Sequence, residues 1–245
     1  MTHTSSSRPT AEAFARHKQN EKHKKENPLR DVILGGQDGL VNALGIILGI
    51  AAVSSDVRIL IATVLAATCA ESLSMGAVAY TSALAQKDYY ESERQKELEE
   101  IAGEPEMERE EVRQIFEEKG FSGDILEEIV TTVTGNKKLW LETMMNEELK
   151  IHPVNTRDVL KSSVIVTIAT AIGHLIPLLP FFFMTHQMGL VVAILISGMT
   201  LFSTGVYQAV TLVGSWWRSG LRMVLIGLSA AFIGYFIAHI FHAAG

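Results

Sequence analysis

The chain has 245 residues, of which 48% are hydrophobic, with a formal net charge of −6 and one cysteine. The single thiol, Cys69, excludes an intrachain disulfide, and no nucleic-acid partner is expected of this acidic balance. Two classes remain, one compact domain or a small membrane protein, and the distribution of apolar residues decides between them.

Apolar runs cluster at residues 32–55, 57–86, 159–184, 188–214 and 221–243. Each exceeds the roughly 20 residues needed to cross about 30 Å of hydrocarbon. The expected fold class is therefore all-α, a polytopic membrane protein with five transmembrane helices. Residues 1–30 form a polar arm rich in Lys and His, without the apolar core and small-residue cleavage site of a secretory signal. Residues 31–86 hold the first two spans, 87–158 an acidic insert, and 159–245 the last three spans.

The first span carries Gly35, Gly36, Gly39, Gly45 and Gly49, small residues that permit close helix packing, together with polar Gln37, Asp38 and Asn42. In the second span no helix breaker other than Gly76 occurs between Ile59 and Gly103. Its helix is expected to run past Gln86 by roughly 17 residues, about 25 Å out of the bilayer. Gly103-Glu104-Pro105 then ends that helix and starts another, and Gly120 ends the second piece. A third helix is expected from the capping residue Ser122 to about Lys150, interrupted near Gly135-Asn136, with Pro153 as a stop. Ile101, Val112, Ile115, Phe116, Ile125, Leu126, Ile129, Val130 and Val133 recur at helical spacing and are the expected core of this three-helix insert.

Basic residues flanking spans are retained on the cytosolic side. Arg8, Arg16, Lys18, Lys22, Lys24, Lys25 and Arg30 place the N-terminus inside, and the insert follows it there. The Thr185-His186-Gln187 turn has no Lys or Arg, whereas the turn expected at Trp216 to Arg222 supplies Arg218 and Arg222. Five spans then leave Gly245 on the luminal or extracellular side.

Between Asp88 and Glu118 there are 13 acidic and four basic residues, a charge of −9 over 31 residues. Glu97 and Glu100, then Glu108 and Glu111, are i, i+3 pairs on one helix face, an arrangement that opposes helix formation unless a cation lies between them. The alternative is a solvated acidic face partly neutralised by Arg94, Lys96, Arg109 and Arg113. Met144-Met145, followed by Asn146-Glu147-Glu148, puts thioethers and a carboxylate within one turn. Methionine is commonly core, yet thioether sulfur shifts selectivity away from Mg²⁺ and Ca²⁺ toward softer transition metals.

Within the spans, Asp38 and Glu71 are carboxylates at a depth that costs several kcal/mol, and Met75 lies one turn after Glu71 on the same face. Such a path suits a partly dehydrated cation; alternatively both acids only bond neighbours in a packed bundle. His174, between Gly173 and the kinks expected at Pro177 and Pro180, reads as structural. A buried carboxylate binds either metal or proton, so competition between the two would couple them as an antiport.

These residues resemble the vacuolar iron transporter family, relatives of the yeast calcium-sensitivity cross-complementer. Asp38-Gly39-Leu40, Ser74-Met75-Gly76 and the Glu-rich insert ending in Met144-Met145 occur in the family's order, with coverage from about Leu29 to the C-terminus. The resemblance implies a homodimer with five spans per subunit and a cytosolic three-helix metal-binding domain. It implies that Glu97, Glu100, Glu108, Glu111, Met144, Met145 and Glu148 ligate metal there, and that Asp38 and Met75 line the translocation path. Plant-type members place a membrane glutamate where this chain has Ala67; Glu71 shares that helix face and is its candidate substitute. The implied activity is export of Fe²⁺, with Mn²⁺ or other divalent ions, from the cytosol in exchange for protons. The metal is substrate, and no prosthetic group is expected. The membrane would be vacuolar in a eukaryote and the plasma membrane in a prokaryote.

Two other readings compete. A membrane ferroxidase or diiron oxidase needs Glu-x-x-His pairs on facing helices, and this tetrapeptide is absent from the chain. A metal sensor without transport leaves Asp38, Glu71 and Met75 unexplained.

Overall fold

The computed structural model describes Thr10, residues 29–211 and residues 214–243, and its regular structure is helical throughout. Helix α1 is Leu29–Val53, α2 Val57–Gly103, α3 Pro105–Glu118, α4 Gly123–Thr134 and α5 Lys137–Thr143. A π-helical turn, Met144–Glu148, continues α5. Helix α6 is Thr156–Leu178, closed by a 3-10 turn at Leu179–Phe182; α7 is His186–Thr211 and α8 Trp216–Ala243. The expectations for the rest of the N-terminal arm lie outside the described residues.

Local chemistry accounts for the boundaries. Side chains of Asp56, Asn136 and Asn155 accept hydrogen bonds from the first free backbone amides of α2, α5 and α6, and Pro105 begins α3 where its missing amide costs nothing. The interruption expected near Gly135-Asn136 is present, with Asn136 capping a new helix after Gly135. Two expectations need correction. The turn expected at Trp216 to Arg222 lies instead before Trp216, which opens α8. Ile125, expected in the core, is 62% exposed.

Among the described residues, five helices are long and apolar enough to cross a membrane: α1, α2, α6 with its 3-10 turn, α7 and α8. Their many outward-facing Leu, Ile, Phe and Val side chains suit lipid, which needs no polar face. Leu44, Ile47, Leu60, Val64, Leu178 and Ala193 form the centre of their shared core. A second, separate core joins the end of α2 to α3, α4 and α5 through Ile101, Val112, Leu126, Val130, Val133 and Trp140. Helix α2 belongs to both. Its 47 residues run unbroken to Gly103, about 70 Å of rigid rod.

The tightest crossing in the membrane bundle is that of α1 with α6. A Cβ at Gly35 would lie 2.6 Å from the Val166 carbonyl oxygen, and one at Gly39 2.7 Å from Nδ1 of His174 and closer still to the Thr170 carbonyl. From the other side, Gly173 leaves no room for a Cβ against the backbone of Gly36. Helix α2 is tied to the same region by Ser163, whose hydroxyl donates to the Gly76 carbonyl at 2.7 Å.

Gly39→Ala should therefore push rigid backbones apart and cost on the order of 1–3 kcal/mol. Gly103→Ala, with nothing within 4 Å of the added carbon, should be neutral or slightly stabilising. Thermal unfolding of the detergent-solubilised protein distinguishes the two, and equal melting temperatures would refute the close-crossing account.

Candidate functional site

Three helices converge on one carboxylate at mid-membrane. Glu71 lies at the middle of the 57–86 apolar run on α2. Asn42 of α1 donates its side-chain amide to Oε1 of Glu71. His174 of α6, fully buried, places Nε2 3.1 Å from Oε2, while its Nδ1 lies 3.0 Å from the Thr170 carbonyl oxygen. A carbonyl only accepts, so Nδ1 carries a hydrogen and donates it. Asp38 lies one turn before Asn42 on α1. It also borders a cavity of about 230 Å³ between α1 and α8, beside Gln37 and Gly227. Met75 is half-buried one turn along α2 from Glu71.

His174, expected to be structural, is the other side chain that meets this carboxylate. It contacts Glu71 directly. An ionisable ring inside an apolar span is costly in itself, and that was the available signal. Its partner, 103 residues away, was not visible in any local pattern.

The second cluster lies where α2 meets α3 and the π turn. Glu97 and Glu108 are only 3% and 6% exposed, within hydrogen-bonding reach of each other, and among the described residues Oε1 of Glu97 and Oε2 of Glu108 have no hydrogen-bond partner. Burial, followed by the contact with Glu108 and the charges of Glu108, Glu148 and Glu100, pushes the Glu97 carboxyl up to about 8. Burial also raises Glu108, with Glu111, Glu100 and Glu104 adding to it. Glu148 rises to about 7 through burial and the charges of Glu111, Glu108 and Glu100. All five predicted glutamates thus act on one another, and Glu104, which spacing had not singled out, joins them.

Met144 and Met145 are buried in the adjoining core, on a π turn packed against both α2 and α3. A π turn widens the helix and re-aims its side chains, and such turns recur at functional sites. Lys119 pairs with Glu147, so the neighbouring Glu148 faces the acidic cluster alone.

The basic residues that offered a bland account of the acidic run are engaged elsewhere. Arg94 pairs with Glu91 at 3.9 Å, Lys96 with Glu93 at 2.6 Å, and Arg113 with Glu110 at 2.9 Å and with Glu127. Arg109 donates to the Thr131 hydroxyl at 3.2 Å. None of these partners belongs to the predicted ligand set. Among the described residues, no three His, Cys, Asp or Glu side chains already stand at metal-binding spacing. The acidic cluster is therefore a compressed set of like charges with two buried oxygens unpaired, a condition that a proton or a cation relieves.

A family model described as the VIT family matches residues 29–239. A protein named vacuolar iron transporter 1 from Arabidopsis thaliana is 30% identical over 86% of this chain and 85% of its own length. A Eucalyptus grandis protein of the same name is 28% identical over 83% and 82%, and a vacuolar iron transporter from Plasmodium falciparum is 28% identical over 91% and 85%.

Carboxyls held above their ordinary range favour the folded state while protonated, so their contribution is full below about pH 4.5 and is lost as pH rises through 7 to 8. Without divalent metal, the melting temperature should fall by a few degrees between pH 5 and pH 8.5. Glu97→Gln should flatten that decline, and a variant that melts with the wild-type pH profile would remove Glu97 from this role.

Proposed function

Because the chain belongs to the VIT family, we propose that it carries divalent metal, Fe²⁺ first and Mn²⁺ second, out of the cytosol in exchange for protons. The relatives are named iron transporters, and the observation that carries the reading over is the continuity of α2. One rod holds Glu71 and Met75 within the span and Glu97 and Glu100 about 39 Å further on. Residues 87–158 form a cytosolic domain that collects metal at Glu97, Glu100, Glu108, Glu111, Glu148, Met144 and Met145. Carboxylates concentrate the cation and the thioethers favour transition metals over Ca²⁺ and Mg²⁺.

Translocation passes Asp38, Glu71 and Met75. A cation and a proton compete for the Glu71 carboxylate, whose Oε2 lies 3.1 Å from Nε2 of His174. Proton movement against metal movement follows from this competition for one site.

Asp38 and Asn42 are exposed on the outer surface of a span, where lipid cannot solvate them. A second copy packed on this surface would cover both, and we assign the active form as a homodimer. The N-terminal arm and residues 87–158 face the cytosol, and the C-terminus the opposite side. The membrane is the vacuole's in a cell that has one, as the relatives' names say of them, and otherwise the plasma membrane.

In proteoliposomes, the wild-type protein should accumulate Fe²⁺ faster with the trans side acidified. Asp38→Ala should lower the rate by about tenfold or more, by loss of charge stabilisation within the membrane. Uptake equal to wild type in Asp38→Ala would refute the path, and indifference to the pH gradient would refute exchange.

A further inference from the structure

The His174 ring is held as metal-bound imidazoles are held. One ring nitrogen, Nδ1, donates to the Thr170 carbonyl at 3.0 Å, an outer contact that fixes the tautomer and leaves the Nε2 lone pair for a ligand. Gly39 makes the space, since a Cβ there would lie 2.7 Å from Nδ1. Nε2 points at Oε2 of Glu71 across 3.1 Å. Around a first-row divalent ion with bonds of roughly 2.1 Å, adjacent ligand atoms stand about 3.0–3.4 Å apart. The two atoms are thus already spaced as neighbours on one coordination shell, on different helices and with the ring fully buried.

We propose that His174 is a nitrogen ligand of the intramembrane metal site, bound through Nε2 beside Oε2 of Glu71, and that it sets the preference of the path for Fe²⁺-like ions. The proposal rests on the translocation path through Asp38, Glu71 and Met75. Carboxylates alone suit Mg²⁺, Ca²⁺ and Mn²⁺; an imidazole nitrogen adds affinity for Fe²⁺, Co²⁺ and Zn²⁺ ahead of Mn²⁺. Asp38, one turn before the Glu71 partner Asn42 on α1, is the nearest further carboxylate along that helix to complete the shell.

The test is Co²⁺ and Mn²⁺ uptake by the full chain in proteoliposomes, comparing wild type, His174→Gln and Glu71→Gln. His174→Gln should raise the KM for Co²⁺ by about tenfold or more and that for Mn²⁺ by less than about threefold, a split that a packing defect would not produce. If both constants stay unchanged or rise in parallel while Glu71→Gln is inactive, the ligand assignment falls and the path stands. If Glu71→Gln transports like wild type, the path falls and the assignment with it. A second measurement does not depend on how the histidine variant folds. It is pulsed electron paramagnetic resonance of Mn²⁺ bound to ¹⁵N-histidine-labelled chain carrying Glu97→Gln and Glu108→Gln. A ¹⁵N coupling that disappears on adding Glu71→Gln supports the proposal. No coupling, or coupling indifferent to Glu71→Gln, overturns it.

Discussion

Helices α1 and α6 meet with so little between them that a methyl group on Gly39 would strike the Thr170 carbonyl, and one on Gly173 the backbone of Gly36. Much of the membrane half follows from that contact. Close approach lets the His174 ring lie flush against Gly39 instead of being pushed outward, and so directs Nε2 across the bundle toward α2. The same approach brings Asn42 level with the opposite oxygen of Glu71. A carboxylate that would be prohibitively costly in hydrocarbon is held at both oxygens by groups from two other helices. The glycines therefore act as more than helix-packing residues: their missing side chains set the distance at which a mid-membrane carboxyl can be satisfied.

Helix α2 transmits this arrangement outward. It contributes Leu60 and Val64 to the membrane core and Ile101 to the second core, without a break between them. A rod of this kind keeps Glu97 in fixed register with Glu71 and leaves no hinge along its length through which the two regions could reorient. Any movement that links them has to be a tilt or rotation of α2 as a whole, which would change the Asn42 and His174 contacts at Glu71 together.

The acidic cluster is governed by a different balance. Glu97 and Glu108 sit where the apolar core of α3, α4 and α5 closes against α2, so they lose water without gaining a basic partner among the described residues. Nearby arginines and lysines are spent on Glu91, Glu93, Glu110 and Glu127 at the surface. Buried carboxyls held this close repel one another, and a cation placed between them relieves that repulsion. Solvation, the ordinary explanation for an acidic helix, applies to Glu99, Glu106 and Glu117, which are exposed, but not to this pair.

Five apolar runs, the unbroken α2 and the acidic insert could be read from the chain alone, because span length, helix breakers and charge runs are local properties. The i, i+3 spacing also put Glu97 with Glu100 and Glu108 with Glu111. It could not show that Glu97 and Glu108 would be the buried members, since burial depends on how α3 folds back on α2. The break near Gly135-Asn136 was legible because helix-ending and capping residues act locally, whereas the π turn at Met144 was not, because backbone geometry at a helix end answers to packing as much as to residue type. His174 shows the division most clearly. Span length alone puts an imidazole within the membrane, whereas its contact with Glu71 comes from packing, because it depends on how closely α1 lets α6 approach.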